Sequence, residues 1–329
     1  MAVLVCGGAG YIGSHGVADL LERGEQVVVV DNLQTGHKDA VLERAKLYVG
    51  DLRDEVVLDR VFQENAIEAV VHFAADSLVG VSMEDPLQYY DNNVYGALCL
   101  LKKMKEYDVK RIVFSSTAAT YGEPKTVPIE ETNETKPTNP YGETKLAIEK
   151  MLKWCERAYG IKHVVLRYFN VAGAHPVHDI GEDHQPETHL IPIVIQAALG
   201  QRESIKVFGD DYPTADGTCI RDYIHVSDLI QAHLLALDYL KNGGESDVFN
   251  LGNGSGFSVR QVIETVEKVT GEAIPQETAP RRAGDPAVLI ASSVKAAKVL
   301  GWTPEYTRLE DIVASAWKWH QKHPDGYSR

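Results

Sequence analysis

Cysteine is scarce: four in 329 residues, Cys6, Cys99, Cys155 and Cys219, with no C-x-x-C pair among them. Spacing this wide supports neither a disulfide framework nor a cysteine-based zinc site, and isolated thiols suit a reducing compartment, the cytoplasm. Basic clusters are also missing. The chain holds 33 Lys and Arg against 47 Asp and Glu, a formal net charge of −14, so neither nucleic acid nor an anionic membrane surface is expected as a partner. No apolar run reaches the roughly 18 residues that a bilayer span requires. The apolar residues after Met1 have no basic leader and run straight into a glycine turn, which reads as a first strand rather than a signal peptide. With 44% hydrophobic and 24% charged residues, the chain has the length and composition for a sizeable core.

What is present begins with Val3-Leu4-Val5-Cys6-Gly7-Gly8-Ala9-Gly10-Tyr11-Ile12-Gly13. A short apolar strand leads into a glycine turn and then into an amphipathic helix marked by Ile12, Val17, Leu20 and Leu21. Gly7, Gly10 and Gly13 let the backbone turn tightly, approach a pyrophosphate and pack the helix on a sheet, while the helix N-terminus offers free N–H groups to phosphate. A second strand over 26–30 ends in Asp31, 18 residues past Gly13, where a carboxylate can accept from a ribose hydroxyl. This order is a dinucleotide signature. Asp31, with no arginine just after it, disfavours a 2′-phosphate and favours NAD over NADP.

Strand and helix patterns then alternate: strands over 46–49, 69–73, 111–115 and 163–168, helices over 55–64, 92–107 and 141–159. Strands apolar on both faces imply a parallel sheet covered on each side. Beyond about 170 a polar, proline-broken loop spans 173–189, followed by shorter elements: helices over 190–199, 227–241 and 258–270, and strands over 205–208, 221–226 and 247–251. The expected fold is α/β: a doubly wound, Rossmann-type parallel sheet over 1–170, with a smaller mixed α/β substrate domain over 171–329 partly interleaved with it.

Tyr141 and Lys145 stand four residues apart on one helical face, where an ammonium should lower the phenol's pKa and make it a usable base. Tyr121 and Lys125 share that spacing, but Pro124 breaks the helix between them. Ser115, Ser116 and Thr117 end the strand over 111–115, on the side where doubly wound sheets bind ligands. There a hydroxyl can hold a reacting oxygen, or simply cap a turn.

Taken together, GGAGYIGSH (7–15), GDLRD (50–54), VVHFAA (70–75), YYDNNVYG (89–96), FSSTAATYG (114–122), NPYGETK (139–145), LRYFNVAGAHP (166–176), FGDDYPTADGTCIRDYIHV (208–226), NLGNG (250–254) and APRRAGDP (279–286) resemble the extended short-chain dehydrogenase/reductase family, and within it the sugar-nucleotide epimerases. The resemblance covers essentially the whole chain. It implies a retained NAD and interconversion of UDP-galactose and UDP-glucose by transient oxidation at sugar C4, as in galactose metabolism. It assigns Tyr141 as base, Thr117 as the hydroxyl on the sugar oxygen, and Lys145 as a contact to the nicotinamide ribose that also tunes Tyr141. Cofactor contacts map to Gly7, Gly10, Tyr11, Ile12, Gly13, Asp31, Asn32, Asp51, Leu52, Phe73, Ala74, Ala75, Asn92 and Phe169, beside Tyr141 and Lys145. Substrate contacts map to Thr117, Asn170, His189, Leu190, Lys206, Phe208, Arg221, Arg282, Asp285 and Leu289, the two arginines as planar forks for a diphosphate. A homodimer paired through the helices near 92–107 and 141–159 is implied as well.

Three positions depart from the family pattern: Ser77 where many relatives carry lysine, His189 where some carry asparagine, and Leu289 where a bulky tyrosine or a small residue gates the sugar 2-substituent. Epimerisation of N-acetylated or other UDP-sugars therefore stays open. A 4,6-dehydratase is disfavoured, because Ala118 and Ala119 stand where that chemistry needs an acid and a base. His175, His178, His184 and His189 crowd the 173–189 loop without an H-x-x-x-H pair; it reads as a solvated substrate-side loop, and no metal is expected.

Overall fold

The computed structural model describes residues 1–282 and 285–327; Ala283 and Gly284 of the APRRAGDP segment lie outside them. Six strands come from the first part of the chain: β1 (Ala2–Cys6), β2 (Gln26–Asp31), β3 (Lys46–Val49), β4 (Ile67–His72), β5 (Arg111–Ser115) and β6 (Lys162–Arg167). Eight more follow: β7 (Asn170–Ala172), β8 (Ile205–Phe208), β9 (Ile220–Arg221), β10 (Tyr223–His225), β11 (Asp247–Asn250), β12 (Phe257–Ser258), β13 (Gln276–Ala279) and β14 (Val288–Leu289). The main sheet runs β3-β2-β1-β4-β5-β6-β11, every neighbouring pair parallel. This is the doubly wound architecture, with its seventh strand drawn from beyond residue 170.

Alternation along each strand explains the continuous apolar runs. Val3, Val5, Val27, Val29 and Val71 face one core, with the helices Tyr11–Glu22 and Val226–Lys241. Leu4, Cys6, Val28, Val30 and Val70 face the other, with Glu55–Glu64, Gly96–Glu106 and Pro140–Tyr159. Each fully buried aliphatic side chain contributes about 1.5–3 kcal/mol. The four cysteines are free and buried. A third core joins the helices Leu190–Ala198, Val259–Thr270 and Leu309–Lys322. Among the described residues no helix is long and apolar enough to cross a membrane.

Three elements differ from expectation. The helix expected over 92–107 starts at Pro86, capped by Asp85, and passes through a widened π turn, Tyr90–Tyr95, before Gly96–Glu106. The strand expected over 221–226 is two strands: β9 lies between β12 and β14, whereas β10 pairs with β7. The break is at Asp222, whose buried carboxylate accepts from the backbone N–H groups of Asn253 (2.7 Å) and Ala291 (3.1 Å). Burial raises that carboxylate to about 6, against the pull of those N–H donors. The 173–189 loop is not solvated throughout: Ile180, Glu182 and Glu187 are buried. The C-terminal residues Trp319 and Tyr327 cover it, the Tyr327 hydroxyl accepting from Gly181 N at 3.0 Å.

Candidate active site

The strand order reverses between β1 and β4, and a crevice opens where those strands end. Gly7, just past β1, has φ +79°, and a Cβ there would sit 2.6 Å from Ala74 N. A Cβ at Gly13 would strike the carbonyl oxygen of Gly7. Both glycines are therefore required by the protein's own packing. Gly10 is different: its φ is −76° and the nearest atom to an added Cβ is 3.5 Å away, yet the residue lines the crevice. It also N-caps the helix Tyr11–Glu22 without a side-chain hydrogen bond, leaving first-turn N–H groups for a ligand. The geometry fits a dinucleotide pyrophosphate.

Asp31, Asn32, Asp51, Leu52, Phe73, Ala74, Ala75 and Asn92 line the adenosine-sized end of the crevice. The Asp31 carboxylate accepts from Ala9 N and Leu33 N, both at 2.9 Å, so it also pins the glycine turn. Asp51 accepts from Asn32 Nδ2 at 3.1 Å and pairs with Arg53, which holds its carboxyl well below the ordinary range. Past Gly7, Gly10 and Phe73, shared by both ends, the crevice continues along Tyr11, Ile12 and Gly13 to Thr117, Tyr141, Lys145 and Phe169.

The three hydroxyls at the end of β5 diverge. Ser115 Oγ meets His233 Nε2 at 2.7 Å, and Ser116 Oγ donates to Glu149 Oε1 at 2.6 Å. Only Thr117 lines the crevice, its Oγ1 also accepting from Ala119 N at 3.1 Å as the cap of a short 3₁₀ turn. Asn139 caps the helix Pro140–Tyr159 through Gly142 N (2.9 Å), which aims Tyr141 and Lys145 at the same space. The expected lowering of Tyr141 by Lys145 is not what this geometry produces. Burial raises the phenol well above its ordinary value, Tyr168 adds to that, and the Thr117 hydroxyl pulls the other way. Lys145 Nζ lies 6.0 Å from the Tyr141 ring centroid and donates instead to Ser115 O at 2.9 Å.

At the far end Asn170, His189, Arg221, Arg282, Asp285 and Leu289 line the crevice together. Arg221 is hydrogen-bonded to Asp285 and donates to Ile220 O at 2.8 Å, which orients its fork. Leu190, Lys206 and Phe208 do not line it. Leu190 opens the helix Leu190–Ala198 and packs on the third core, Lys206 is exposed on β8, and Phe208 lies under the Arg282 guanidinium at 4.1 Å.

Sequence reasoning missed the residues that hold this arrangement. Asn93, 1% exposed, takes Asp76 N (2.8 Å) on its Oδ1 and donates to Asp76 O (3.0 Å) and Thr144 Oγ1 (3.1 Å), tying the loop after β4 to the helix of Tyr141. Glu149 and Arg167 form a buried two-point ion pair behind Lys145, at 3.0 and 2.5 Å. Asn93 stands in the quoted YYDNNVYG run, which was the available signal; the Glu149–Arg167 pair had none, because its partners meet only in the fold.

Fold and crevice are those of a dinucleotide-binding enzyme, with one continuous crevice running from the glycine turn to a pair of arginines. The chain belongs to the NAD dependent epimerase/dehydratase family, whose profile matches residues 3–252. More particularly, it is similar over its whole length to UDP-glucose 4-epimerases. The one from Halalkalibacterium halodurans is 63% identical over 328 residues, covering 100% of this chain and 98% of the relative. A crystal structure of a UDP-glucose 4-epimerase, 64% identical, matches with a TM-score of 0.99 over 100% of both chains. The Bifidobacterium longum enzyme, crystallised in complex with NAD+ and UDP, is 44% identical with a TM-score of 0.94, covering 99% of this chain and 100% of that one.

Proposed function

We propose that this chain is an isomerase that interconverts UDP-galactose and UDP-glucose with NAD as its resident cofactor. One observation carries the reading: a single crevice joins the glycine turn, the Thr117 and Tyr141 hydroxyls, and Arg221 with Arg282. When bound, NAD supplies a reversible hydride acceptor and a positive ring charge beside the phenol. That ring charge would oppose the burial that raises the Tyr141 phenol and favour its phenolate, which takes the proton of the sugar 4-hydroxyl while C4 gives up its hydride, leaving a 4-keto sugar. Thr117 hydrogen-bonds the reacting oxygen. After the hexose turns over in the site, Tyr141 returns the proton and C4 receives the hydride on its other face, so atoms and electrons balance without a co-substrate. Arg221 and Arg282 hold the diphosphate throughout, anchoring a ligand whose sugar must rotate.

In this reading the cofactor belongs to 1–170 and the UDP-sugar to 171–329. Ala118 and Ala119 have no proton to give, which speaks against dehydration. Two copies pair through the helices near 92–107 and 141–159, a reading supported by apolar side chains left exposed there: Tyr95, Leu98 and Trp154, the last 65% exposed. The cytoplasm suits the four free thiols. The test is incubation of purified protein with UDP-galactose and no added cofactor. UDP-glucose should form with no net release of NADH. Absence of conversion by NAD-loaded protein, or stoichiometric NADH release, overturns the proposal.

A further inference from the structure

Among the described residues, Glu182, His184, Glu187 and His189 are the one group of His, Cys, Asp and Glu side chains that offers converging ligand atoms, one from each residue, all within 4.8 Å of one another. They occupy the end of the loop that crosses from β7 to the helix Leu190–Ala198, with His189 at that helix's N-cap. His189 Nδ1 is 2.9 Å from Glu182 Oε1 and 2.9 Å from Glu187 Oε1; His184 Nδ1 is 3.2 Å from Glu182 Oε1 and 3.6 Å from Glu187 Oε2. Each imidazole nitrogen therefore sits between two carboxylates, although one N–H satisfies only one of them.

Hydrogen bonding leaves part of the cluster unexplained. Glu182 is 4% exposed, yet its Oε1 has no hydrogen-bond partner, and neither does His184 Nδ1. Glu187 is oriented by its neighbours, Oε1 accepting from Thr188 N (2.7 Å) and His189 N (2.8 Å). Two carboxylates buried together require about two positive charges to offset the cost of removing them from water. His189 Nδ1 pairs with Glu187 Oε1 at 2.9 Å, but Glu182 Oε1 and His184 Nδ1 converge on the same point without a partner, and a cation there would satisfy both.

We propose that Glu182, His184, Glu187 and His189 bind one Zn²⁺ in a closed, structural site. A tetrahedral ion with metal–ligand distances of about 2.0–2.2 Å separates its ligands by about 3.3–3.6 Å. Only His184–Glu187 at 3.6 Å reaches that spacing; the other three separations (2.9, 2.9 and 3.2 Å) are shorter, and the set lies within 4.8 Å overall, so seating the ion requires those side chains to part by a few tenths of an ångström. Two imidazole nitrogens argue against calcium or magnesium, which take oxygen ligands, and with two carboxylates they suit zinc. Four protein donors leave no open position, so the ion performs no step of catalysis. With neutral imidazoles the two carboxylates and the dication sum to zero charge.

The ion's place in the fold gives it a purpose. Glu182, His184, Pro186, Thr188 and His189 line the crevice on one side. On the other, the same loop faces Trp319, His320 and Tyr327. Tyr11 of the glycine turn packs edge-on against His184, centroids 6.1 Å apart, and donates to Gly173 O at 2.7 Å. Zinc would thus staple a polar loop into a wall between the nucleotide-sugar crevice and the C-terminal helix. This revises the expectation of a metal-free loop, and it goes beyond the proposed activity without depending on it.

The experiment measures metal in the full-length, NAD-loaded protein expressed without a polyhistidine tag and dialysed against chelator-free, metal-free buffer. Elemental analysis should find about one zinc per chain, falling at least fivefold in H184N and in E187Q. Because either variant could misfold, dipicolinate treatment of wild type supplies the second arm: it should strip the zinc and lower Tm, and ZnCl₂ alone should restore Tm where MgCl₂ does not. In the UDP-galactose assay the stripped protein should show a raised KM with kcat little changed. Wild type carrying no zinc, and no Tm response to ZnCl₂ after dipicolinate, would leave only imidazolium–carboxylate pairs and overturn the proposal. Stoichiometric recovery of a different metal would overturn the zinc assignment. Metal content is read independently of epimerisation, so failure here and failure of the proposed activity are separable.

Discussion

Lys145 Nζ donates to the backbone carbonyl of Ser115 at 2.9 Å, bridging the helix Pro140–Tyr159 and the end of β5, with Nζ 6.0 Å from the centre of the Tyr141 ring. The two side chains share a helical face, as four-residue spacing requires, but the ammonium hydrogen-bonds a buried backbone carbonyl instead of the phenol. Its position stiffens the junction where Thr117 leaves the strand. Burial, Tyr168 and the Thr117 hydroxyl, rather than Lys145, set the pKa shift of Tyr141.

Burial pushes the Lys145 ammonium from 10.5 down to about 7, and Glu149 pulls it only partly back. The unfolded chain keeps that proton up to about 10.5, the folded chain only up to about 7. Between these values the unfolded state binds more protons, so this group's contribution to stability rises with pH. Lys145→Met removes the effect. The urea midpoint of wild type minus that of K145M should increase from pH 7 to about pH 9.5. A flat difference across that range would show that the amine is not displaced.

Tyr141→Phe keeps the ring and deletes the oxygen proposed to move the proton. Loss of a general base reduces turnover by on the order of 10²–10⁴-fold. NAD should remain bound, since the glycine turn and Asp31 are untouched; nucleotide released on denaturation measures it. An unchanged rate of UDP-galactose conversion would remove Tyr141 from its role.

Two glycines of one turn should behave differently. Gly13→Ala places a methyl against Gly7 O, backbone on backbone, and should lower both Tm and NAD content. Gly10→Ala meets nothing in the protein closer than 3.5 Å. It should fold with the Tm of cofactor-stripped wild type while retaining little NAD. If G10A holds NAD like wild type, the pyrophosphate does not lie over that turn.

The parts of this site visible in sequence are those whose neighbours in space are neighbours in the chain. The glycine turn, Asp31 after β2, and Tyr141 with Lys145 on one helix all declare themselves through local spacing. Asn93 was legible only as a member of a motif; its work, linking Asp76, 17 residues before it, to Thr144, 51 residues after it, is tertiary. Asp222 looked like a mid-strand residue until Asn253 and Ala291 presented two N–H donors to it. The 173–189 loop misled for a related reason. Its polar composition suggests water, but Trp319 and Tyr327 arrive from the far end of the chain and cover it, so Glu182 and Glu187 meet imidazoles instead of solvent. The split at Asp222 and the π turn at Tyr90–Tyr95 follow the same logic: both are set by long-range packing that no local pattern records.

Leu289, on β14, is the crevice residue proposed to set the substrate range. It is partly buried against Ala118, Tyr121 and Ile129 and lines the crevice with Thr117 and Asn170. In the proposed reading the sugar 2-substituent lies against Leu289, and a leucine, shorter than a tyrosine and without its hydroxyl, would leave room there for an acetamido group. Wild type should therefore turn over UDP-N-acetylglucosamine at a measurable rate. Leu289→Tyr should cut kcat/KM for the N-acetylated sugar by roughly 10-fold or more, the scale on which pocket size discriminates, while leaving UDP-galactose within about threefold. Both constants are read from the same coupled assay on the same preparations. Wild type inert toward the N-acetylated sugar, or a variant that loses both activities equally, would show that the limit on the 2-substituent lies elsewhere in the crevice.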